Sequence, residues 1–308
     1  MKRGAANHEA EFDLGGGFKL FKADSHEFGI YSCTYRENIF FRQSWERRVA
    51  VFDPNTPYYW ICLDGKRVGG VSISPNTIWN LFLLPPFADW SRLVGRLRAL
   101  LVTLSNPLEP ISAHGILPDQ IPAFHRAGFV TGETRRVMIR PTGSLGGTES
   151  LQPFSLAIPT LEHVGDIASA ACRAYAGPDG LGYPGLNTRE QHETDTTAYF
   201  EHNTQEVLRQ ASCLAYDGAS GELAGFCLIS LWEGLPLVSN LAVLPAYRGQ
   251  GLASAMLLRA LSVLRGDYEL LRLFVTIGNG AEQLYHNLGF HAGTPQAQVD
   301  YQMRGGDV

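Results

Sequence analysis

The chain is 308 residues long, carries a formal net charge of −5 and is 45% hydrophobic in composition. This length exceeds the roughly 100–200 residues of one ordinary domain, so we expect two domains. Because the charge balance is acidic and no basic cluster is present, the sequence argues against nucleic acids and anionic membranes as partners and favours a small molecule.

The spacing of the cysteines and the hydropathy of the sequence indicate the cellular compartment. The five cysteines are scattered, odd in number and never spaced as CxxC, which predicts reduced thiols rather than disulfides or a metal site. The N-terminal stretch MKRGAANHEAEFDLGGG has no apolar core of signal-peptide length. No later run approaches the roughly 20 apolar residues of a membrane span. These features predict a cytoplasmic protein.

For the first half of the chain, the sequence pattern predicts, in this order, helices, a hairpin, a strand, a helix, a strand, a helix and a last strand. The hairpin is predicted from WICLDGKRVGGVSIS, residues 60–74, in which two β-favouring runs flank an Asp-Gly turn. The next strand lies in WNLFLLPP, from Trp79, and a later helix lies in AFHRAGF, from Ala123.

A linker is predicted between the halves. The segment PTGSLGGTESLQP, Pro141 to Pro153, is rich in Gly, Ser, Thr and Pro and lies between two strand-like runs. We therefore predict domains over residues 1–145 and 146–308. In both predicted domains, helices and strands follow one another as in an α/β (α+β) fold.

The second half repeats this order of elements. Residues 212–230 predict a hairpin, and LPLVSNLAVLP, residues 235–245, predicts the third strand. A helix is predicted over Gly249–Leu264, where apolar residues recur near i, i+4 and i+8. Residues 268–278 predict the next strand, and AEQLYHNLGF predicts a helix that Gly289 ends.

The two halves also align in sequence. WNLFLLPPFADWSRLVGRLRALL, from Trp79, aligns with SNLAVLPAYRGQGLASAMLLRAL, from Ser239, at a constant offset of 160. Asn80 then falls on Asn240, and Pro85 falls on Pro245. Such self-similarity indicates one α/β unit used twice.

The turn after Pro245 has the features of an anion site. We expect Arg248, Gly249, Gln250, Gly251, Leu252 and Ala253 to form the first turn of a helix, where backbone N–H groups have no partner within the helix. The glycines and the small Ala253 let an anion approach the backbone, and the helix dipole and Arg248 attract it. A phosphate or pyrophosphate fits this turn, although an isolated GxG would more often be a plain strand-to-helix turn.

This turn resembles the coenzyme A loop of the GNAT superfamily of N-acetyltransferases, which reads Gln or Arg, two residues, Gly, one residue, then Gly or Ala. The later segment resembles the family signature in which an Asn ends a strand and a helix carries LY and GF, here Asn279, Tyr285 and the pair Gly289-Phe290. The spacing from Asn279 to Ala281 is one residue shorter than in the family, so the Asn279 assignment can differ by one position. The resemblance implies two tandem GNAT-like domains, each a mixed, mostly antiparallel sheet flanked by helices.

The resemblance also implies direct acetyl transfer from acetyl-CoA to an amine, without a metal. Leu241, Ala242 and Val243 would line the pantetheine arm as a short strand, and the Val243 N–H would polarise the thioester carbonyl. Tyr285 would contact the coenzyme A sulfur and donate a proton to it. Without the neighbouring motifs, Tyr285 would be an ordinary aromatic residue on a helix.

The sequence does not identify a general base. Many family members carry a Glu where this chain has Asn240, and an amide cannot accept a proton at neutral pH. Glu233, in the WEGLP hairpin, is a candidate. His192, Glu193 and Asp195 lie in the segment that closes over the acceptor in this family. Polar residues in such a polar loop are more often simply solvated, and a water relay would need no dedicated base.

The first half departs from the loop motif. By the repeat offset, Ala88, Asp89 and Ser91 replace Arg248, Gly249 and Gly251, and Phe124 stands where Tyr285 stands. We therefore expect the first half to be a degenerate copy without a coenzyme A loop.

The sequence thus predicts an N-acetyltransferase acting on a small-molecule primary amine, as a monomer or homodimer. Two alternatives stay open at this point. The first is a non-catalytic acyl-CoA-binding or sensing protein, which the missing strand Glu supports. The second is an acetyltransferase acting on a peptide or protein amine.

Overall fold

The computed structural model describes residues 11–143, 152–177 and 185–303. The predicted boundary at residues 145 and 146, and most of the predicted linker, lie outside the described residues. In chain order the helices and strands are β1 (Phe12–Gly15), β2 (Phe18–Lys22), α1 (Ser25–Tyr35), α2 (Trp45–Ala50), β3 (Tyr58–Leu63), β4 (Lys66–Ser74), β5 (Thr77–Leu83), α3 (Trp90–Leu104), β6 (Ile111–Ile116), α4 (Ile121–Arg126), β7 (Val130–Pro141), β8 (Phe154–Ala157), α5 (Val164–Ala174), α6 (Arg189–His202), α7 (Glu206–Ala211), β9 (Cys213–Asp217), β10 (Leu223–Trp232), β11 (Leu235–Val243), α8 (Leu252–Leu264), β12 (Leu270–Thr276), α9 (Ala281–Asn287), β13 (His291–Ala292) and β14 (Gln296–Tyr301).

The chain forms two compact units. Unit 1 comprises residues 1–135 and 294–308, and unit 2 comprises residues 136–293. This division differs from the predicted domains because the last strand, β14, pairs with β6 and with the first part of β7. Strand pairing across a long sequence separation leaves no local pattern in the sequence, so the predicted boundary placed β14 in the second half.

Unit 1 is a mixed sheet covered by helices. Its strands follow the order β1, β2, β3, β4, β5, β6, β14 and β7. Neighbouring strands in this order are antiparallel except β5 and β6, which are parallel at Thr77–Ser112 and Ile78–Ala113. Because side chains alternate along β3, Tyr58 and Trp60 pack with Phe28 of α1, whereas Tyr59 and Ile61 belong to the core cluster that contains the buried face of α3.

Unit 2 has the same arrangement of elements. The second part of β7 is followed in the sheet by β12, β11, β10, β9 and β8, and β13 pairs with β7. Strands β11 and β12 are parallel, while β10 pairs antiparallel with both β11 and β9. Helix α5 packs on one face of the sheet, and α7 and α8 pack on the other. The predicted mixed, mostly antiparallel sheet flanked by helices is confirmed.

Removing residues 294–308 should prevent unit 1 from folding. Strand β14 buries Ala297, Val299 and Tyr301 between two neighbouring strands. Losing about 1.5–3 kcal/mol for each large apolar side chain, together with two strand pairings, approaches the total stability of roughly 5–15 kcal/mol for a small protein. We expect loss of cooperative thermal unfolding of unit 1 in calorimetry. A chain ending at Met303 is the matched control and should unfold like the full chain; similar unfolding of the two truncated chains would contradict the division into units.

Candidate functional site

A cavity in unit 2 begins where β11 and β12 separate. The two strands pair in parallel at Leu237–Arg272 and Val238–Leu273. The register between β10 and β11 shifts after Val238, because Ser239 is an extra residue that forms a β-bulge and bends the strand. Residues 239–243 of β11 and 274–276 of β12 then line a cavity of about 900 Å³.

The turn that enters α8 lies at one end of this cavity. Gly249 and Gly251 have φ angles of 74° and 77°. These left-handed conformations cannot continue a right-handed helix, so α8 begins at Leu252 and the predicted start at Gly249 is wrong. Of the turn, Arg248 and Ala253 line the cavity.

The N-terminus of α8 has no side-chain cap. Gly251 occupies the N-cap position and offers no hydrogen-bonding side chain to the first-turn N–H groups. A Cβ added at Gly249 or Gly251 would meet no heavy atom within 4 Å. The N–H groups therefore border open space, which suits an anionic ligand.

Arg248 holds the turn in place. Its Nε donates to the Val243 carbonyl at 3.1 Å, and its Nη2 donates to the Ala174 carbonyl at 2.8 Å. The guanidinium thus ties the end of β11 to the end of α5. Sequence reasoning assigned Arg248 an attractive charge but did not anticipate this role in positioning the turn.

Tyr285 lies on α9 and lines the same cavity. Its side chain is 9% exposed, and its ring packs edge-on against Phe290. Burial, with a smaller contribution from Cys227, raises the pKa of Tyr285 to about 12. The hydroxyl is therefore protonated at neutral pH and can donate a hydrogen bond into the cavity.

Asn240, Leu241, Ala242 and Val243 line the cavity as one run of β11. The hydroxyl of Tyr175, which follows α5, donates to Asn240 Oδ1 at 2.7 Å and lies 3.2 Å from the Leu241 carbonyl. Sequence reasoning missed Tyr175, because nothing in its local pattern relates it to a strand 65 residues later.

The remaining predicted residues are divided between the cavity and the surface. Asn279 lines the cavity, and its Oδ1 accepts from the Ala281 N–H at 2.9 Å, which fixes the start of α9. Glu233 instead forms the β10–β11 turn with φ 49° and is not among the residues lining the cavity. Gln250 likewise lies in the turn outside the cavity lining, and Leu252 is buried in the core.

The three polar residues predicted over the acceptor occupy different environments on α6. His192 is buried, bonds to Asn187 at 2.8 Å, and has its pKa lowered by burial. Glu193 forms an ion pair with Arg189 at 2.7 Å. Asp195 alone of the three lines the cavity.

In the equivalent region of unit 1, protein groups take the positions that are open in unit 2. Asp89 is the N-cap of α3, and its carboxylate accepts from the Arg92 N–H at 3.0 Å. The half-buried Arg36 donates to Asn80 Oδ1 at 3.0 Å and to the Gly115 carbonyl at 2.8 Å. Arg36 therefore bridges β5 and β6 beyond their last shared pair.

The repeat alignment shifts by two residues at this helix. Helices α3 and α8 begin at Trp90 and Leu252, which are 162 residues apart. Asp89 therefore takes the N-cap position of Gly251, and not the position of Gly249 that the constant offset predicts. The pairing of Phe124 with Tyr285 agrees with the structure, because each carbonyl accepts from the N–H five residues later.

None of the helices in the described ranges is long and apolar enough to cross a membrane. Within the same ranges, no three His, Cys, Asp or Glu side chains come together as a metal site would require.

Residues 209–292 match the family described as acetyltransferase (GNAT) domain. No curated protein is similar enough in sequence to give a match. Among solved structures, a GCN5-related N-acetyltransferase from Sphaerobacter thermophilus has a TM-score of 0.67 at 14% identity, over 95% of this chain and 98% of that chain. A tandem GNAT protein from the clavulanic acid biosynthesis pathway has a TM-score of 0.57 at 14% identity, over 92% and 98%.

A third structure is the glucosamine N-acetyltransferase region of a fungal multi-domain GH3 beta-N-acetylglucosaminidase. Its TM-score is 0.58 at 11% identity, and the likeness covers 97% of this chain and 39% of that chain. At these identities the likeness establishes the fold. The chain thus carries a GNAT acetyltransferase domain over residues 209–292, within the fold of the tandem GNAT proteins.

Proposed function

We propose that the protein is a cytoplasmic N-acetyltransferase that transfers an acetyl group from acetyl-CoA to a primary amine of a small molecule. One observation carries this proposal: the uncapped, open N-terminus of α8 borders the cavity into which Tyr285 faces. The open N-terminus of α8 suits a pyrophosphate, and Tyr285 suits a departing thiolate.

The residues present fit coenzyme A. The first-turn N–H groups of α8, with Gly249, Gln250, Gly251, Leu252 and Ala253, would hold the pyrophosphate. Residues 239–243 extend from this turn along the cavity, beyond the last pair that β11 shares with β12. Their backbone groups can therefore pair with the amides of a pantetheine arm, as in strand addition.

Bound acetyl-CoA would supply an activated acyl group as a thioester. The Val243 N–H would donate to the carbonyl oxygen as negative charge develops on it. Arg248 supports this function, because its hydrogen bond to the Val243 carbonyl, in the next peptide unit, holds Val243 in place at the end of β11.

Tyr285 would donate its hydroxyl proton toward the sulfur. A phenol with a pKa of about 12 is a weaker acid than a thiol, whose ordinary pKa is about 8.5. A lasting tyrosinate is therefore unfavourable. Tyr285 would stabilise the thiolate by a hydrogen bond and pass on a proton that the attacking nitrogen releases.

The charges in the cavity bear on the kind of acceptor. A small amine is favoured over a peptide because one carboxylate, Asp195, stands among the described residues lining the cavity, whereas a basic peptide would favour several. An amino sugar is a reasonable first probe, since the fungal region of similar fold is a glucosamine N-acetyltransferase.

Release of free thiol from acetyl-CoA over a panel of amines tests the enzyme against a non-catalytic sensor. The panel would contain glucosamine, ethanolamine, spermidine and a lysine-containing peptide. Amine-dependent turnover supports the enzyme. Tight binding of coenzyme A without turnover on any amine would support the sensor.

Replacing Gly251 with Asp should weaken coenzyme A binding, because it adds a carboxylate beside the N–H groups of α8, as Asp89 does in unit 1. The matched control is Gly251→Asn, since Asn and Asp both tolerate left-handed backbone and are nearly equal in size. We expect the Asp variant to bind at least tenfold more weakly than the Asn variant in calorimetric titration, which is about 1.4 kcal/mol. Equal affinities would remove the turn from the proposed site.

Tyr285→Phe should lower kcat by roughly 10²–10⁴, as for loss of a general acid, with the Kd of coenzyme A close to wild type. Because a raised pKa keeps the hydroxyl protonated below about pH 11, the wild-type enzyme should show no loss of kcat from Tyr285 between pH 7 and pH 10. Stopped-flow turnover and calorimetry check both statements. Unchanged kcat in the Phe variant would make Tyr285 a packing residue.

One chain should bind one coenzyme A, in unit 2. In unit 1 the Asp89 carboxylate caps α3, and Arg36 bridges the two strands whose counterparts line the cavity in unit 2. Like charges about 4 Å apart repel by about 4 kcal/mol at an effective dielectric constant near 20. Native mass spectrometry gives the stoichiometry, and two coenzyme A molecules per chain would contradict the interpretation of unit 1 as a degenerate copy.

A further inference from the structure

One face of α6 lines the cavity of unit 2. The lining residues are spaced by one, three or four positions along the helix, which is the spacing of one helical face. They are Asp195, Thr196, Tyr199, His202 and Asn203. This face is therefore a wall of the cavity, separate from the strand and turn assigned to coenzyme A.

Contacts at both ends tie α6 to the strands that line the cavity. At its beginning, the His192 ring stacks on Tyr175 with centroids 6.0 Å apart, and Tyr175 bonds to Asn240. Just after its end, Asn203 Nδ2 donates to the Ile229 carbonyl at 2.8 Å. Asn240 pairs with Leu228, and Ile229 belongs to the neighbouring pair of β10 and β11.

Asp195 lies in the first half of α6. It follows His192 by three residues, which is about 4.5 Å along a helix axis, whereas His202 lies about 10 Å farther on. The Asp195 carboxylate also acts electrostatically on His192, raising its pKa against the larger lowering effect of burial. Among the described residues that line the cavity, Asp195 is the only Asp or Glu.

The polar groups around Asp195 suit a cation. Gln191 Nε2 donates to Asp195 Oδ1 at 2.8 Å, which orients the carboxylate. Among the described residues that line the cavity, Arg248 and Asp195 carry full charges at neutral pH, and Arg248 lies at the end of the cavity formed by the α8 turn. The acceptor end therefore carries a single negative charge.

We propose that Asp195 binds the ammonium group of the acceptor and so selects small amines with one positive charge. The bound ammonium then releases one proton to water, and the neutral nitrogen attacks the acyl carbon. This inference rests on the proposed function and adds the residue that recognises the acceptor. A charge-assisted hydrogen bond from an ammonium to a carboxylate is the strongest contact that a small polar amine can make in such a cavity. A polyamine would leave its other charges without partners there.

The test compares Asp195→Asn with Glu193→Gln, which neutralises a carboxylate on the same helix that does not line the cavity. With glucosamine and ethanolamine as acceptors, we expect Asp195→Asn to raise the KM for the amine by about tenfold to a hundredfold. The value of kcat should change less than threefold, because ground-state binding is what the variant removes. Glu193→Gln should resemble wild type, and spermidine should be a poorer substrate than either monoamine.

Salt dependence separates a charge contact from a structural effect. In the wild type, the KM for the amine should rise between about 50 mM and 500 mM salt, because the ion pair is screened. In Asp195→Asn it should stay nearly constant. Thermal unfolding and the Kd of coenzyme A should be the same for all three proteins.

Equilibrium binding distinguishes this inference from the proposed function. Glucosamine and ethanolamine are titrated into each protein saturated with coenzyme A, so that no turnover is needed. Weaker binding to Asp195→Asn, together with no acetylation by wild type, would support Asp195 and contradict the proposed function. Acetylation by wild type with the same KM in Asp195→Asn would overturn the inference alone. If wild type neither binds nor acetylates the panel amines, both are contradicted.

Discussion

The separation of β11 from β12 is the constraint on which the site depends. Backbone N–H and C=O groups need hydrogen-bond partners. The last residue pair that β11 and β12 share is Val238–Leu273. Beyond that point, the bulge at Ser239 bends β11 away and opens the cavity. The same divergence directs β11 toward the uncapped N-terminus of α8. A ligand with an extended polar arm and a terminal phosphate would satisfy both features at once.

In unit 1 the corresponding strands, β5 and β6, also separate, but a side chain bridges them. These parallel strands share their last pairs at Ile78–Ala113, and the Arg36 guanidinium then bridges Asn80 and Gly115. Burial lowers the pKa of Arg36 to about 10, with a smaller effect of Arg42, so the group is still a cation at neutral pH. In unit 2 the residue that follows the corresponding helix is Tyr175, which bonds to Asn240 and lines an open cavity. The residue after the first helix thus differs between the units: Arg36 bridges both strands, whereas Tyr175 bonds to β11.

The sequence predicted the features that depend on local patterns. The hairpins, the order of elements and the glycine turn all follow from period-2 and helical spacing and from residues that tolerate left-handed backbone. It could not place β14 in unit 1, because that pairing joins distant segments. It also could not separate Asp195 from Glu193, since both are acidic residues on one polar helix. Tertiary packing sets which face of α6 lines the cavity. Of these two residues, only Asp195 lies on that face.

The open N-terminus of α8 has a cost in stability that the core offsets. An N-cap side chain stabilises a helix relative to Gly by only a few tenths of a kcal/mol, and Gly251 gives up this contribution. Along the same helix Leu252, Met256, Leu257, Ala260, Leu261 and Leu264 are buried. Burial of a single leucine contributes about 1.5–3 kcal/mol, so packing exceeds the lost cap several times over. Helix α8 can therefore keep its first-turn N–H groups for a ligand, whereas in α3 the Asp89 carboxylate already accepts from the Arg92 N–H and brings a negative charge to the same place.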